Sequence, residues 1–164
     1  MAANFLVNYM SETLSAGRSS HLEQGGRTLA LDPGRKRVGL AVSDELGITA
    51  RPLPPLRRTN WKKLLRDVYQ IVRDFDAKRL VIGLPLNLDG TEGEAALEAR
   101  DFHRKFSLSL EIPVYLQDER LTSREAEERL IDEGHSLDEL ADLVDSESAV
   151  IILRDFLASE EEMR

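Results

Sequence analysis

Apolar residues follow two spacings along this chain. From residue 28 to residue 53 they fall in three short blocks bounded by turn formers. These are 28–32 (TLALD), 38–43 (VGLAVS) after Pro33-Gly34, and 48–53 after a turn near Gly47. Such blocks predict strands, and connections this short favour an antiparallel meander. The spacing then becomes helical: Trp61, Leu64, Leu65, Val68, Val72 and Phe75 share one face, behind Asn60 as N-cap. Residues 79–83 (RLVIG) read as a buried strand and 85–93 as a loop with an Asp89-Gly90 turn. Residues 94–106 read as a second helix with the stripe Ala95, Ala99, Phe102 and Phe106. A short strand follows at 113–117. Thr122 and Glu125 stand at capping-box spacing and open a helix that stops near Gly134; a last helix covers 145–157.

The order is three strands, helix, strand, helix, strand, two helices. A meander followed by alternating units implies an α/β domain with a mixed five-stranded sheet. Three strands are antiparallel, two are parallel to the first, and helices cover both faces. Functional groups in such sheets gather beyond the carboxyl ends of the parallel strands. Residues 1–26 lack periodicity and read as a loose extension, with Met10 a candidate start. The folded domain is expected over 27–158, with 159–164 an acidic tail.

Composition narrows the chemistry. The chain has 164 residues and no cysteine, which excludes disulfides, thiolate metal sites and cysteine nucleophiles. His21, His103 and His135 are scattered, so a histidine-built metal site is not expected. Nothing approaches the ~18 apolar residues of a membrane span, and no signal-like start is present, which implies a cytoplasmic protein. The net charge of −8 argues at first against nucleic acid, but its distribution is uneven. Residues 1–117 carry 17 Lys and Arg against 14 Asp and Glu, whereas residues 118–164 carry 5 against 16. Phosphate contact depends on the local field, and most of the chain is mildly basic.

Acidic residues stand where the topology should bring strand ends together. Asp32 ends the first strand, Asp118 and Glu119 follow the last, and Asp145 opens the final helix on the face of Ala149, Ile152 and Phe156. Each has an ordinary alternative: a turn former at Asp32, solvated loop charges at Asp118 and Glu119, an N-cap at Asp145. Two bare carboxylates ~4 Å apart repel by roughly 4 kcal/mol at an effective dielectric of about 20. A cluster of three stays ionised only around a cation. Oxygen-only ligands suit Mg²⁺ or Mn²⁺, and two such ions can promote phosphodiester hydrolysis without histidine or cysteine.

The segment Asp32-Pro33-Gly34-Arg35-Lys36-Arg37-Val38-Gly39-Leu40-Ala41-Val42-Ser43-Asp44 resembles the YqgF (RuvX) family. So do Val81-Ile82-Gly83-Leu84-Pro85-Leu86-Asn87-Leu88-Asp89-Gly90, then Asp118-Glu119-Arg120-Leu121-Thr122, then Val144-Asp145-Ser146 with Ser148-Ala149. The four segments lie within residues 29–157 and follow the family's order. This resemblance implies a ribonuclease-H-like fold and kinship to Holliday junction resolvases. It further implies a metal-dependent nuclease maturing the 5′ end of pre-16S ribosomal RNA. Carried onto this chain, the metal-binding acids are Asp32, Asp145 and the Asp118-Glu119 pair, with Glu119 favoured within the pair, and the catalytic set is Asp32, Glu119 and Asp145. Family members often carry basic residues shortly before the last aspartate. Here that stretch is Leu137-Asp138-Glu139-Leu140-Ala141-Asp142, so phosphate contacts must come from elsewhere.

Candidate substrate contacts are Arg35, Lys36 and Arg37 in the turn after Asp32, Asn87 in the loop after Gly83, and Arg120 beside the acidic pair. Gly83 would permit a close backbone approach. Arg57, Arg58, Lys62, Lys63 and Arg66 form a denser basic stretch, either a substrate contact or a solvated face. The expected partner is structured or precursor ribosomal RNA, or branched DNA, met by a monomer or a homodimer. Two rivals stay open. A sugar-kinase-like ATPase fold shares the DxGxxxxG hairpin but needs a second domain. A non-catalytic RNA-binding module of the same fold would gain nothing from mutually repelling carboxylates.

Overall fold

A computed structural model describes the backbone of residues 25–119 and 137–162, and the side chains of 25–119 and 146–160. Strands β1 (Thr28–Pro33), β2 (Arg37–Ser43) and β3 (Ala50–Arg57) form an antiparallel meander. Helix α1 (Trp61–Asp74) leads to β4 (Arg79–Leu84), helix α2 (Glu94–Ser109) to β5 (Val114–Asp118), and α3 (Leu137–Glu162) closes the described chain. β4 pairs in parallel with β1, and β5 in parallel with β4, giving the sheet order β3-β2-β1-β4-β5. This is the mixed, ribonuclease-H-like sheet that the sequence implied.

Strand alternation sorts the side chains by size. On one face Leu29, Leu31, Leu40, Val42, Leu80 and Ile82 pack against Leu64, Val68 and Val72 of α1 and Phe102 and Phe106 of α2. On the other, Ala30, Ala41 and Val81 meet Ala149, Val150, Ile152, Leu153 and Phe156 of α3. Large residues thus face the two-helix layer, and small ones let a single long helix lie close to the sheet. Ser146 Oγ donates to the Leu53 carbonyl (2.9 Å), fastening α3 to the edge strand.

Local signals mostly act as the sequence suggests. Asn60 caps α1 by accepting from the Lys63 N–H (2.9 Å). Gly90, at φ +83°, takes the left-handed conformation its turn requires.

Four differences have physical causes. β3 runs through Pro52, Pro54 and Pro55 to Arg57, well past residue 53, because an edge strand leaves one row of amides unpaired and tolerates proline there. In α2 it is Ala96 that is buried, whereas Ala95 is exposed; the stripe starts one residue later than predicted. α3 begins at Leu137 rather than near residue 145, through a stretch whose acidic residues gave no apolar stripe. It also continues beyond residue 157 to Glu162, where Glu160 pairs with the buried Arg79. The extension at 1–24, Arg120, and the predicted helix from Thr122 to Gly134 lie outside the described residues.

Candidate active site

Asp32 stands near the end of β1 and pairs in register with Gly39 of β2. By alternation it shares the face of Ala30, beneath α3. β5 ends two strands away, where Leu84 pairs with Asp118. Asp118 therefore shares the face of Leu84 and Leu116, toward α2. One residue on, the Glu119 N–H donates to the Leu84 carbonyl (3.2 Å), and its side chain turns back across the strand end. It lies over Gly83: a β-carbon there would stand 2.5 Å from Glu119 Oε2 and 2.6 Å from Ile152 Cδ1. The space that Gly83 leaves is thus filled from within the protein, by an acid from β5 and an aliphatic side chain from α3.

This placement brings Glu119 to Asp32. Burial, then repulsion from the Asp32 carboxylate, pushes the Glu119 carboxyl from its ordinary 4.5 up to about 8. A hydrogen bond to Asp32, which only the protonated acid can donate, acts in the same direction, and the Asp118 charge adds least. Glu119 Oε2 is buried and meets no donor among the described residues. A buried carboxylate oxygen without a donor, beside a second carboxylate, has the chemistry of a cation ligand. Among the described residues no group of three acids or histidines gathers at metal-binding spacing. Asp145 lies in α3, directly before the Ser146 that ties the helix to β3, but its side chain is outside the described ones.

The candidate substrate residues are spread around this pair. Arg35 and Lys36 are exposed in the turn after β1, and Arg37 is half-buried at the start of β2. Asn87 is exposed, and its amide donates to Thr91 Oγ1 (2.8 Å), bracing its own loop. Asp89 accepts from the Thr91 N–H and hydroxyl, contacts that hold its carboxyl below the usual range. Of the basic stretch, Lys63 pairs with Asp67 on the exposed face of α1. Arg58 turns inward instead, onto Glu98 and the Gly34 carbonyl. Residue spacing gave no sign of that pairing, because its partners lie 24 and 40 residues away. Next to it a cleft of ≈780 Å³ opens between the β1–β2 turn and the N-terminus of α2, lined by Gly34, Arg35, Arg58, Thr59, Glu94 and Glu98 among others.

A mixed sheet of this order, with a half-buried carboxylate pair at the carboxyl ends of its parallel strands, defines a ribonuclease-H-like domain. Comparison with known proteins makes the assignment specific. The chain belongs to the RuvX family, described as Holliday junction resolvase, whose model matches residues 26–159. It is 46% identical over 131 residues to an Anaeromyxobacter sp. (strain K) protein named "Putative pre-16S rRNA nuclease", covering 80% of this chain and 96% of that one. A Syntrophomonas wolfei protein of the same name is 40% identical over 131 residues, covering 80% and 93%. A distant likeness in chain path is to Thermus thermophilus RuvC, with a TM-score of 0.46 and 16% identity over 83% of this chain and 96% of that one. No helix among the described residues is long and apolar enough to cross a membrane.

Proposed function

We propose that this chain is a metal-dependent nuclease that hydrolyses phosphodiester bonds and matures the 5′ end of pre-16S ribosomal RNA in the cytoplasm. The observation that carries this reading is the Glu119 carboxyl, buried against Asp32 with one oxygen lacking a donor. Asp32 and Glu119 would hold Mg²⁺ or Mn²⁺ together with Asp145, and Asp118 would add its charge from the other face of β5. Bound divalent ions, two of them in this chemistry, supply the positive charge that activates water and stabilises a departing oxygen. Arg35 and Lys36, exposed in the turn after β1, would contact phosphates on the incoming strand; Arg37, Asn87 and Arg120 complete the proposed contacts. The names of the relatives at 40–46% identity support ribosomal RNA as substrate.

Branched DNA is a second reading, favoured by the family's description as a Holliday junction resolvase. Cutting two strands in concert would require a symmetric pair of copies, whereas trimming an RNA end would not. One experiment addresses both readings: cleavage of a 5′-extended 16S precursor and of a four-way DNA junction, with Mg²⁺ and with Mn²⁺, by the parent, Asp32→Asn and Glu119→Gln. The parent should cut the RNA, and each variant should lose at least roughly 100-fold in rate. Equal activity in parent and Asp32→Asn would remove the proposal; preference for the junction by a dimeric parent would favour the second reading.

A further inference from the structure

We infer that Arg58 is a positioning residue: it clamps the β1–β2 turn from outside the sheet and thereby fixes where Asp32 stands. This rests on the nuclease reading above.

The need for a clamp is visible in the ladder. β2 and β3 pair regularly from Ser43 to Leu40, but the register shifts between Leu40 and Val38. The irregularity falls at Gly39, the register partner of Asp32 in the adjacent strand β1. The β2–β3 ladder is thus irregular at the level of the acid, while β1 and β2 stay paired through Pro33 and Val38; a bulge on the outer side of β2 bends the strand just before the turn.

Arg58 bonds the turn on both sides of Arg35. Its main-chain N–H donates to the Lys36 carbonyl (2.9 Å), and its Nη1 donates to the Gly34 carbonyl (2.9 Å). The turn also closes on itself, through Gly34 N–H to the Arg37 carbonyl (2.9 Å). The guanidinium is in turn held by α2. Nη1 and Nη2 form a two-pronged bond to the Glu98 carboxylate, and the Arg58 fork lies 4.8 Å from the centre of the Phe102 ring. The Glu98 carboxyl is held below its usual range, chiefly by that hydrogen bond. One planar fork therefore joins three elements: the turn two residues after Asp32, the end of β3, and the buried stripe of α2.

This arrangement differs from a phosphate-binding arginine. The Arg58 charge is matched by Glu98, the guanidinium lies over the Phe102 ring, and a donor is spent on a main-chain carbonyl. Lysine cannot reproduce it, since a single ammonium has no fork with which to bridge Glu98 and Gly34. A catalytic group displaced by about 1 Å can cost on the order of 100-fold in rate, so loss of the clamp should appear in turnover more than in substrate affinity.

The test uses Glu98→Gln and Arg58→Lys in the full chain. In both, kcat should fall roughly 10- to 100-fold on the RNA or junction the parent cuts, while KM, which also depends on Arg35 and Lys36 in the same turn, rises by a smaller factor. Deuterium exchange should speed up at the Gly34 N–H and leave α1 and α2 as protected as in the parent. A drop in KM for Glu98→Gln would overturn the proposal, because it would show Arg58 to be a phosphate ligand that Glu98 restrains. Unchanged exchange in the turn would overturn it equally. If the parent cuts neither nucleic acid, the nuclease reading fails by itself, and the exchange data still decide whether Arg58 holds the turn.

Discussion

The carboxyl of Glu119 fills the space that Gly83 leaves by having no side chain, and Ile152 of α3 shares it. A β-carbon at Gly83 would come within 2.5 Å of Oε2 and 3.0 Å of the carboxyl carbon. One glycine thus lets an acid from the end of β5 reach across β4 to Asp32. Without that gap, Glu119 would have to leave the sheet end, and the carboxylate pair would separate.

Gly83→Ala should therefore act on chemistry more than on folding. Overpacking in a well-filled site costs about 1–3 kcal/mol, which most domains survive. Displacing Glu119 by about 1 Å should lower the cleavage rate on the order of 100-fold. Circular dichroism melting alongside single-turnover cleavage checks this; a variant that cuts at the parental rate would show that the Glu119 position is not critical.

In metal-free protein, stability should fall as the solution becomes alkaline. Glu119 has its folded pKa raised from 4.5 to about 8, so the fold prefers the protonated acid. Its contribution is whole below about 4.5 and is lost as pH rises through about 8. The decline should reach at most about 1.4 kcal/mol per pH unit, the value for one proton. Glu119→Gln keeps the neutral shape without the proton, so it should remove this slope and be more stable than the parent near pH 9. Urea midpoints across pH 5–9 in chelator decide it; parallel curves for the two proteins would contradict the pairing of Glu119 with Asp32.

The sheet was legible in the sequence because its strands are short, apolar and separated by Gly, Pro and Asp turns. Asp32 was legible for the same reason: it is the first polar residue after an apolar block. Glu119 over Asp118 was a harder choice. Alternation within β5 points Asp118 toward α2, but the strand's last residue had to be known before alternation could be applied. The clamp at Arg58 was not legible at all. Arg58 sits among four other basic residues, and nothing in spacing separates the one that turns inward. The start of α3 was missed because Leu137–Asp142 lacks an apolar stripe, and the pattern becomes visible only where Ala149 to Phe156 meet the sheet.

Divalent ions should stabilise the folded chain, and more so at high pH. An ion that replaces the Glu119 proton competes with it, so apparent affinity should rise between pH 6 and pH 8. At 100 times the dissociation constant the gain is about 2.7 kcal/mol. Thermal melting with and without Mg²⁺ at both pH values measures it. Asp32→Asn should lose most of the gain, and Asp145→Asn should do likewise if α3 completes the ligand set. A Mg²⁺ response that survives both changes would place the ion elsewhere.

The far end of α3 offers the opposite case, in which stability changes and chemistry does not. Arg79 opens β4 and is 8% exposed; it pairs with Glu160 and lies 5.7 Å from the Phe156 ring centre. Its Nε is buried without a partner among the described residues, so Glu160 supplies the charge match for this guanidinium. Removing one partner of a buried pair leaves the other charge uncompensated and typically costs 3–5 kcal/mol. Glu160→Gln keeps one acceptor, and Glu160 is itself partly solvated, so the loss should lie near the low end, about 3 kcal/mol. Arg79→Leu removes the charge along with its desolvation and should cost less than Glu160→Gln. Both variants should cut at the parental rate well below their melting temperatures, because Arg79 stands at the opposite end of β4 from Gly83 and the carboxylate pair. A large fall in rate with an intact fold would show that this end of the sheet is coupled to the site.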